Sequence, residues 1–218
     1  DVYMLERTYD NLFRIWLQEG GTKPTVSTPD QLRIAYSGTL NPLKSLSDQI
    51  IYHPVKYKIL FGSQAEEQLQ ATFKVVKNPK TNVSDAVIKT RVIAAINEFF
   101  ALDNWDFGDT FYFTELAAYI HNELAPDLLT AVIVPNQSGQ SFGSLFQIDS
   151  AADEIFISGA TVDDVSIITA LGANQLAASG TVVTSTPTAT TNTTTGSAVS
   201  GSTTSGSGSS SGSSGAGY

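Results

Sequence analysis

The chain has 218 residues, enough for one or two small domains with a sizeable core, and a net charge of −9. It has no cysteine, which excludes a disulfide framework and a thiolate metal site and fits assembly in a reducing bacterial cytoplasm. We find neither an apolar run of about 18 residues nor a basic segment followed by an apolar one, so we expect no membrane insertion and no export leader.

The charges are divided along the chain. All 12 basic residues lie at or before Arg91, together with 9 acidic residues, whereas the rest of the chain has 12 acidic residues and no lysine or arginine. Because nucleic-acid affinity depends on Lys and Arg at phosphates, the acidic half excludes nucleic acid as a partner. Two interpretations remain for this half: a solvated surface, or a face that docks a basic partner and is oriented by charge complementarity.

The first 49 residues are predicted to be mostly helical. A helix over residues 1–19, ended by Gly20-Gly21, is indicated by apolar residues at helical spacing: Leu5, Tyr9, Leu12, Phe13 and Trp16. This stripe is typical of a core, which in a fragment of a longer protein can belong to missing sequence or to another chain. Thr28-Pro29-Asp30-Gln31 has the pattern of a capped helix start, so we predict helices near 29–36 and, after Asn41-Pro42, near 42–48.

From residue 50 the pattern changes to strands. Apolar residues alternate with polar ones over residues 50–61, where Pro54 indicates an edge strand or a strand start. A second alternating run, residues 69–75, predicts a half-buried strand. Ser84-Asp85 then caps a helix with one apolar stripe, formed by Ile88, Val92, Ala95, Ile96 and Phe99.

Residues 105–169 are the most densely apolar stretch. Thr114 is predicted to cap a helix whose face is Leu116, Ile120 and Leu124 and which ends at Ala125-Pro126. The continuous apolar run 129–134 predicts a buried strand, and two more strands are expected at 144–148 and 154–158. The run 162–168 fits a strand or a helical turn.

The order of these elements predicts an α+β fold, in which a small mixed sheet with packed helices occupies residues 50–170. The helical segment 1–49 precedes it, and a Ser/Thr/Gly-rich tail, residues 171–218, follows. The tail has too little apolar surface to offset the entropy lost on ordering. It is therefore expected to be a flexible appendage or an arm that orders only on docking.

Three motifs in the acidic half carry a family resemblance: Asp106-Phe107-Gly108-Asp109, residues 142–146 and residues 154–158. They resemble the C-terminal region of baseplate wedge proteins of T-even-like contractile-tailed phages, the baseplate J-like group, over residues 50–170. Such proteins are much longer, so we expect this chain to be a C-terminal portion. The resemblance implies a structural virion protein of the tail baseplate, which forms a ring with its own copies, holds wedge and sheath-initiator proteins, and rearranges when the tail contracts.

The acidic half is the expected contact region. The candidate interface residues are Trp105, Asp106, Phe107, Asp109, Phe142, Asp163 and Asp164. An alternative function is a receptor-binding or carbohydrate-binding tail module, in which Trp105, Phe107, Phe111 and Phe113 form a stacking platform. At strand spacing Phe111 and Phe113 share one face, which is more typical of a core.

One catalytic sequence motif is present, but its predicted structural context does not fit. Gly139 to Gly143 fits the G-x-S-x-G nucleophile elbow, which needs a helix after the serine. Ser141 is followed by a strand-like run, and His53 and His121 both precede it, so we predict a hairpin connection or bulge and no enzyme activity.

No cofactor and no metal site are predicted. Asp103, Asp106 and Asp109 lack the spacing of a calcium loop, and the aromatic residues between them resemble packing groups. The two histidines have no partner at metal-ligand spacing. Neither a phosphate-binding nor a dinucleotide-binding glycine loop occurs.

Overall fold

The computed structural model describes residues 1–43, 49–137 and 147–169. In these ranges the helices are α1 (Arg7–Glu19), α2 (Pro29–Leu40), α3 (Asp85–Phe99) and α4 (Phe113–Leu124). The strands are β1 (Val2–Met4), β2 (Tyr52–Pro54), β3 (Lys56–Leu60), β4 (Ala71–Lys77), β5 (Thr110–Tyr112), β6 (Leu128–Pro135), β7 (Gln147–Asp149), β8 (Glu154–Ser158) and β9 (Val165–Ile168). The predicted α+β class is confirmed. No helix in the described ranges has the length and apolar character to cross a membrane.

The strands form four small sheets. The largest has the order β6-β4-β9, with β4 antiparallel to β6 and parallel to β9. The other three are pairs: β1 with β2 and β3 with β8 are parallel, and β5 with β7 is antiparallel. The predicted strand over residues 50–61 is interrupted at Val55, whose N–H donates to the Met4 carbonyl, so that β2 pairs with β1 and β3 with β8.

The N-terminal helices are confirmed in part: the helix predicted over residues 1–19 begins only at Arg7, because Val2–Met4 pairs with Tyr52–Pro54 as strand β1. Thr28 and Gln31 form the predicted capping box: Thr28 Oγ1 accepts from the Gln31 N–H (3.3 Å) and Gln31 Oε1 from the Thr28 N–H (2.8 Å). α2 continues through Ser37-Gly38 to Leu40, four residues beyond its expected end, and stops before Asn41-Pro42. Asn41–Leu43 is a single 3-10 turn, and the rest of the helix predicted near 42–48 lies outside the described residues.

The N-terminal core cluster joins α1 to the β3–β8 pair. Its members are Tyr9, Phe13, Trp16, Val55, Tyr57, Ile59, Ala65, Ile155 and Ile157. Tyr57 Oη donates to Asp10 Oδ1 (2.5 Å), which also accepts from Arg14 Nε (2.6 Å). Burial and the Asp10 hydrogen bond raise the pKa of Tyr57. The predicted aromatic stripe of α1 is therefore core, within this chain.

The main core cluster lies between the three-stranded sheet and helices α3 and α4. Ser84 Oγ accepts from the Val87 N–H (3.4 Å), as expected of the α3 cap, and the predicted stripe is buried from Ile88 to Ile96. The expected cap Thr114 is wrong, because α4 begins at Phe113, two residues earlier than that cap implies, and no side chain caps it. The helix starts early because Phe113 places its ring in the core, 4.8 Å from that of Phe111.

Two strands differ from prediction in their burial. β4 is the central strand, so its second face is also covered, and Lys74 and Val76 are only 7% and 6% exposed. β6 is an edge strand, so the expectation of a fully buried strand was wrong: Leu129 is 53% exposed.

Two further predictions concern the C-terminal strands. Of the strand expected at 144–148, the first residues lie outside the described ranges, and β7 begins at Gln147. Both alternatives for the run 162–168 occur, since a 3-10 turn, Val162–Asp164, leads into β9.

Candidate interaction surface around Trp105

The turn from Asp106 to Asp109 is closed by a hydrogen bond between its two ends. Asp109 Oδ2 accepts from the Asp106 N–H (2.7 Å), and Gly108 has a positive φ of 82° that a glycine adopts without strain. The Gly108 N–H donates to the Glu154 carbonyl (3.2 Å). This turn is thereby fixed beside β8, and its tip residue Phe107 is 39% exposed.

Trp105 lies between the two core clusters and packs against both. Its ring stacks on Phe100 at 5.5 Å and meets Phe156 edge-on at 5.2 Å. Its Nε1–H donates to the Phe99 carbonyl (2.8 Å). A large part of this side chain therefore serves packing, while its remaining surface lines a cleft.

The other candidate interface residues are dispersed. Asp164 Oδ2 accepts from the Thr161 N–H (2.8 Å) and Oγ1 (3.1 Å), so this carboxylate stabilises its own turn, whereas Asp163 is exposed. Phe142 and the whole Gly139–Gly143 motif lie outside the described residues. The interface assignment of these residues stays a prediction.

The stacking platform of the alternative function loses two of its members. Phe111 is 0% and Phe113 5% exposed, which confirms that both are core residues. Trp105 and Phe107 retain exposed surface, on either side of the Asp106 backbone. A glycan would therefore meet at most half of the proposed platform.

A cleft of about 550 Å³ lies beside Trp105, and we call it the aromatic cleft. It is lined by Phe99, Asn104, Trp105, Asp109, Thr110, Tyr112, Glu115 and Tyr119. The centre of the Phe99 ring lies 5.6 Å from that of Trp105 and 5.4 Å from that of Tyr119. The cleft unites two predicted interface residues, Trp105 and Asp109, with Tyr112, Glu115 and Tyr119, which sequence reasoning did not select.

The potential in this region is negative. Partial burial and the negative charges of Glu98 and Glu123 raise the pKa of Tyr119. Within the described residues, neither Asp109 nor Glu115 forms an ion pair. The one sequence signal for this cleft is the spacing of Glu115 and Tyr119, four residues apart and therefore on one helix face.

Elsewhere the two charge halves of the chain meet. Lys56 lies 3.4 Å from Glu154 Oε1 and 3.6 Å from Asp153 Oδ2, and Lys58 lies 3.6 Å from Glu154 Oε2. Although burial opposes it, the Ala151 N–H and these lysines lower the pKa of Glu154. Part of the acidic half is thus neutralised internally, at the β3–β8 pair, whereas the aromatic cleft is not.

The described residues show no group of three or more His, Cys, Asp or Glu side chains that could hold a metal ion. His53 stacks on Tyr3 and lies 3.2 Å from Asp1 Oδ1, and His121 Nδ1 is buried and has no hydrogen-bond partner in the described part. The two histidines lie on separate elements, β2 and α4. In comparisons with known proteins, no family model and no curated protein matches this chain.

Proposed function

We propose that this protein is a structural component of a phage tail baseplate wedge, which forms ring and wedge contacts that rearrange when the tail contracts. The proposal rests first on the resemblance of the three motifs in residues 106–109, 142–146 and 154–158. Its partners are other copies of the chain and other wedge or sheath-initiator proteins, and its location is the virion tail.

The observation that carries the proposal in the structure is the open edge of β6. This strand has eight residues, Leu128–Pro135, none of them charged, and within the described residues its ladder is formed with β4 alone. Soluble proteins usually protect such an edge with charges, with a short strand or with a covering element. A long uncharged edge supports a function in which another chain contacts this strand.

The tests are light scattering of the full chain and capture of coexpressed tail proteins. We expect the wild-type chain to self-associate or to capture another baseplate component, and Leu129→Lys to weaken this contact because it places a charge beside the open edge. Leu12→Lys is the matched control, since Leu12 is 51% exposed on α1 and Leu129 53% exposed on β6. A monodisperse wild-type monomer that captures no tail protein would contradict the proposal.

A further inference from the structure

We infer that the aromatic cleft binds a lysine or arginine side chain presented by a basic segment of a partner protein. This inference rests on the proposed function, because it names the chemistry of one partner in the assembly. It concerns a surface separate from the β6 edge.

The walls of the aromatic cleft are both aromatic and acidic. The cleft combines four aromatic rings, of Phe99, Trp105, Tyr112 and Tyr119, with the carboxylates of Asp109 and Glu115. A cation is attracted to an aromatic ring within about 6 Å of its centroid and also to a carboxylate at the rim. The apolar stem of a lysine or arginine covers the rings while its charged end reaches the carboxylates.

The negative charge of the cleft complements a cation from a partner. Among the described residues no lysine or arginine lines the cleft, and none follows Arg91 in the sequence. Arg91 itself is held by Asp127 at 2.6 Å and is not available to neutralise the cleft. The cation that matches these carboxylates must therefore come from another molecule.

The cleft suits a cationic side chain better than a neutral sugar. Flat stacking of a sugar requires an open aromatic face, and the Trp105 ring is already in contact with Phe99, Phe100 and Phe156. Its indole N–H is also used, by the Phe99 carbonyl. A ligand in the cleft consequently meets the half-exposed tyrosines and the carboxylates, a combination that selects for positive charge.

The test is a nuclear magnetic resonance titration of the full chain with the peptide acetyl-Gly-Arg-Gly-amide. Its counterpart with citrulline in place of arginine has nearly the same shape and no charge. The chain has two tryptophans, so one spectrum reports on the cleft through the indole N–H signal of Trp105 and on a site that does not line the cleft through that of Trp16. We expect saturable shifts of the Trp105 signal with the arginine peptide only, weakening as salt is raised.

The variant Glu115→Gln removes one charge from the rim and should raise the dissociation constant about three- to fivefold. Glu19→Gln makes the same change at an exposed position of α1 outside the cleft and should leave binding unchanged. Circular dichroism establishes that both variants are folded. Equal binding of the arginine and citrulline peptides, no saturable shift, or saturable binding of a neutral oligosaccharide at Trp105 would each overturn the inference.

The capture assay distinguishes this inference from the proposed function. If the wild-type chain captures tail proteins and Glu115→Gln captures them equally well, the cationic ligand is wrong while the structural role stands. If the wild-type chain binds the arginine peptide but captures no tail protein and remains monomeric, the cleft stands and the baseplate role is wrong.

Discussion

Replacing Trp105 by alanine removes the ring that packs against both core clusters. Truncating a buried Trp or Phe to alanine typically costs about 3–5 kcal/mol of unfolding free energy. Because one side of Trp105 faces the aromatic cleft, we expect the packing loss to fall just below this range, at about 2–3 kcal/mol. The lost hydrogen bond to the Phe99 carbonyl adds about 1 kcal/mol, for a total of about 3–4 kcal/mol.

Urea unfolding of the full chain, followed by circular dichroism at one pH, measures this difference. Two variants divide it into its parts. Trp105→Phe keeps most of the ring contacts and loses the indole N–H, so it should cost about 1–2 kcal/mol. Phe107→Ala changes a neighbouring aromatic residue at the exposed turn tip and should cost less than about 1 kcal/mol.

An unfolding free energy of Trp105→Ala within about 1 kcal/mol of wild type would refute this role of Trp105, since a ring that joins two cores cannot be removed at so small a cost. A well-folded Trp105→Ala protein that had lost glycan binding would support the alternative function, a carbohydrate-binding tail module.

Three further changes test other parts of the structure. Gly62→Ala should destabilise the protein by about 2 kcal/mol or more in urea unfolding, because the φ of Gly62 is +69° and a Cβ would overlap the Gly159 carbonyl. Gly38→Ala in α2 is the control: its Cβ meets open space, so it should stabilise the protein by about 0.5–1 kcal/mol. Equal effects of the two substitutions would contradict this. Thr28→Ala removes the capping box of α2 and should cost about 1 kcal/mol in the same measurement, and no change in unfolding midpoint would show that the cap is dispensable. Hydrogen bonds from Thr81 and Arg91 lower the pKa of Asp127, so the stabilisation of the folded state by its carboxylate is present above the ordinary carboxyl pKa of 3.8 and lost as pH falls through the native pKa. Asp127→Asn should therefore be less stable than wild type at pH 7, and the difference in unfolding free energy should shrink below about pH 4. A constant difference from pH 7 to pH 3 would refute this linkage.

Elements whose signals are local were predictable from the sequence. The cap at Thr28, the cap at Ser84 and the breaker at Pro126 act on their own neighbours, so the helices they bound are present with nearly the expected limits. The start of α4 was misplaced because burial of Phe113 outweighs the capping tendency of Thr114. Capping contributes about 1 kcal/mol, less than burial of a phenylalanine ring.

Features that depend on distant pairing were not predictable. β1 has only three residues, too few for a periodic pattern, and its partner β2 lies some fifty residues later in the chain, at Tyr52–Pro54. The aromatic cleft depends in the same way on how α3, β5 and α4 meet. The sequence shows that aromatic and acidic residues are frequent there, but not that Tyr112 and Glu115 line one cavity.

The parallel pairing of β3 with β8 has a consequence for synthesis on the ribosome. Lys56 is aligned with Glu154, so the ribosome must add 98 further residues after β3 before the partner strand β8 is complete. Until then the aromatic face of α1 lacks Ile155 and Ile157, which complete the layer beneath it. A nascent chain released before residue 158 would expose Phe13 and Trp16 to solvent, and we expect such truncation products to aggregate or to be degraded.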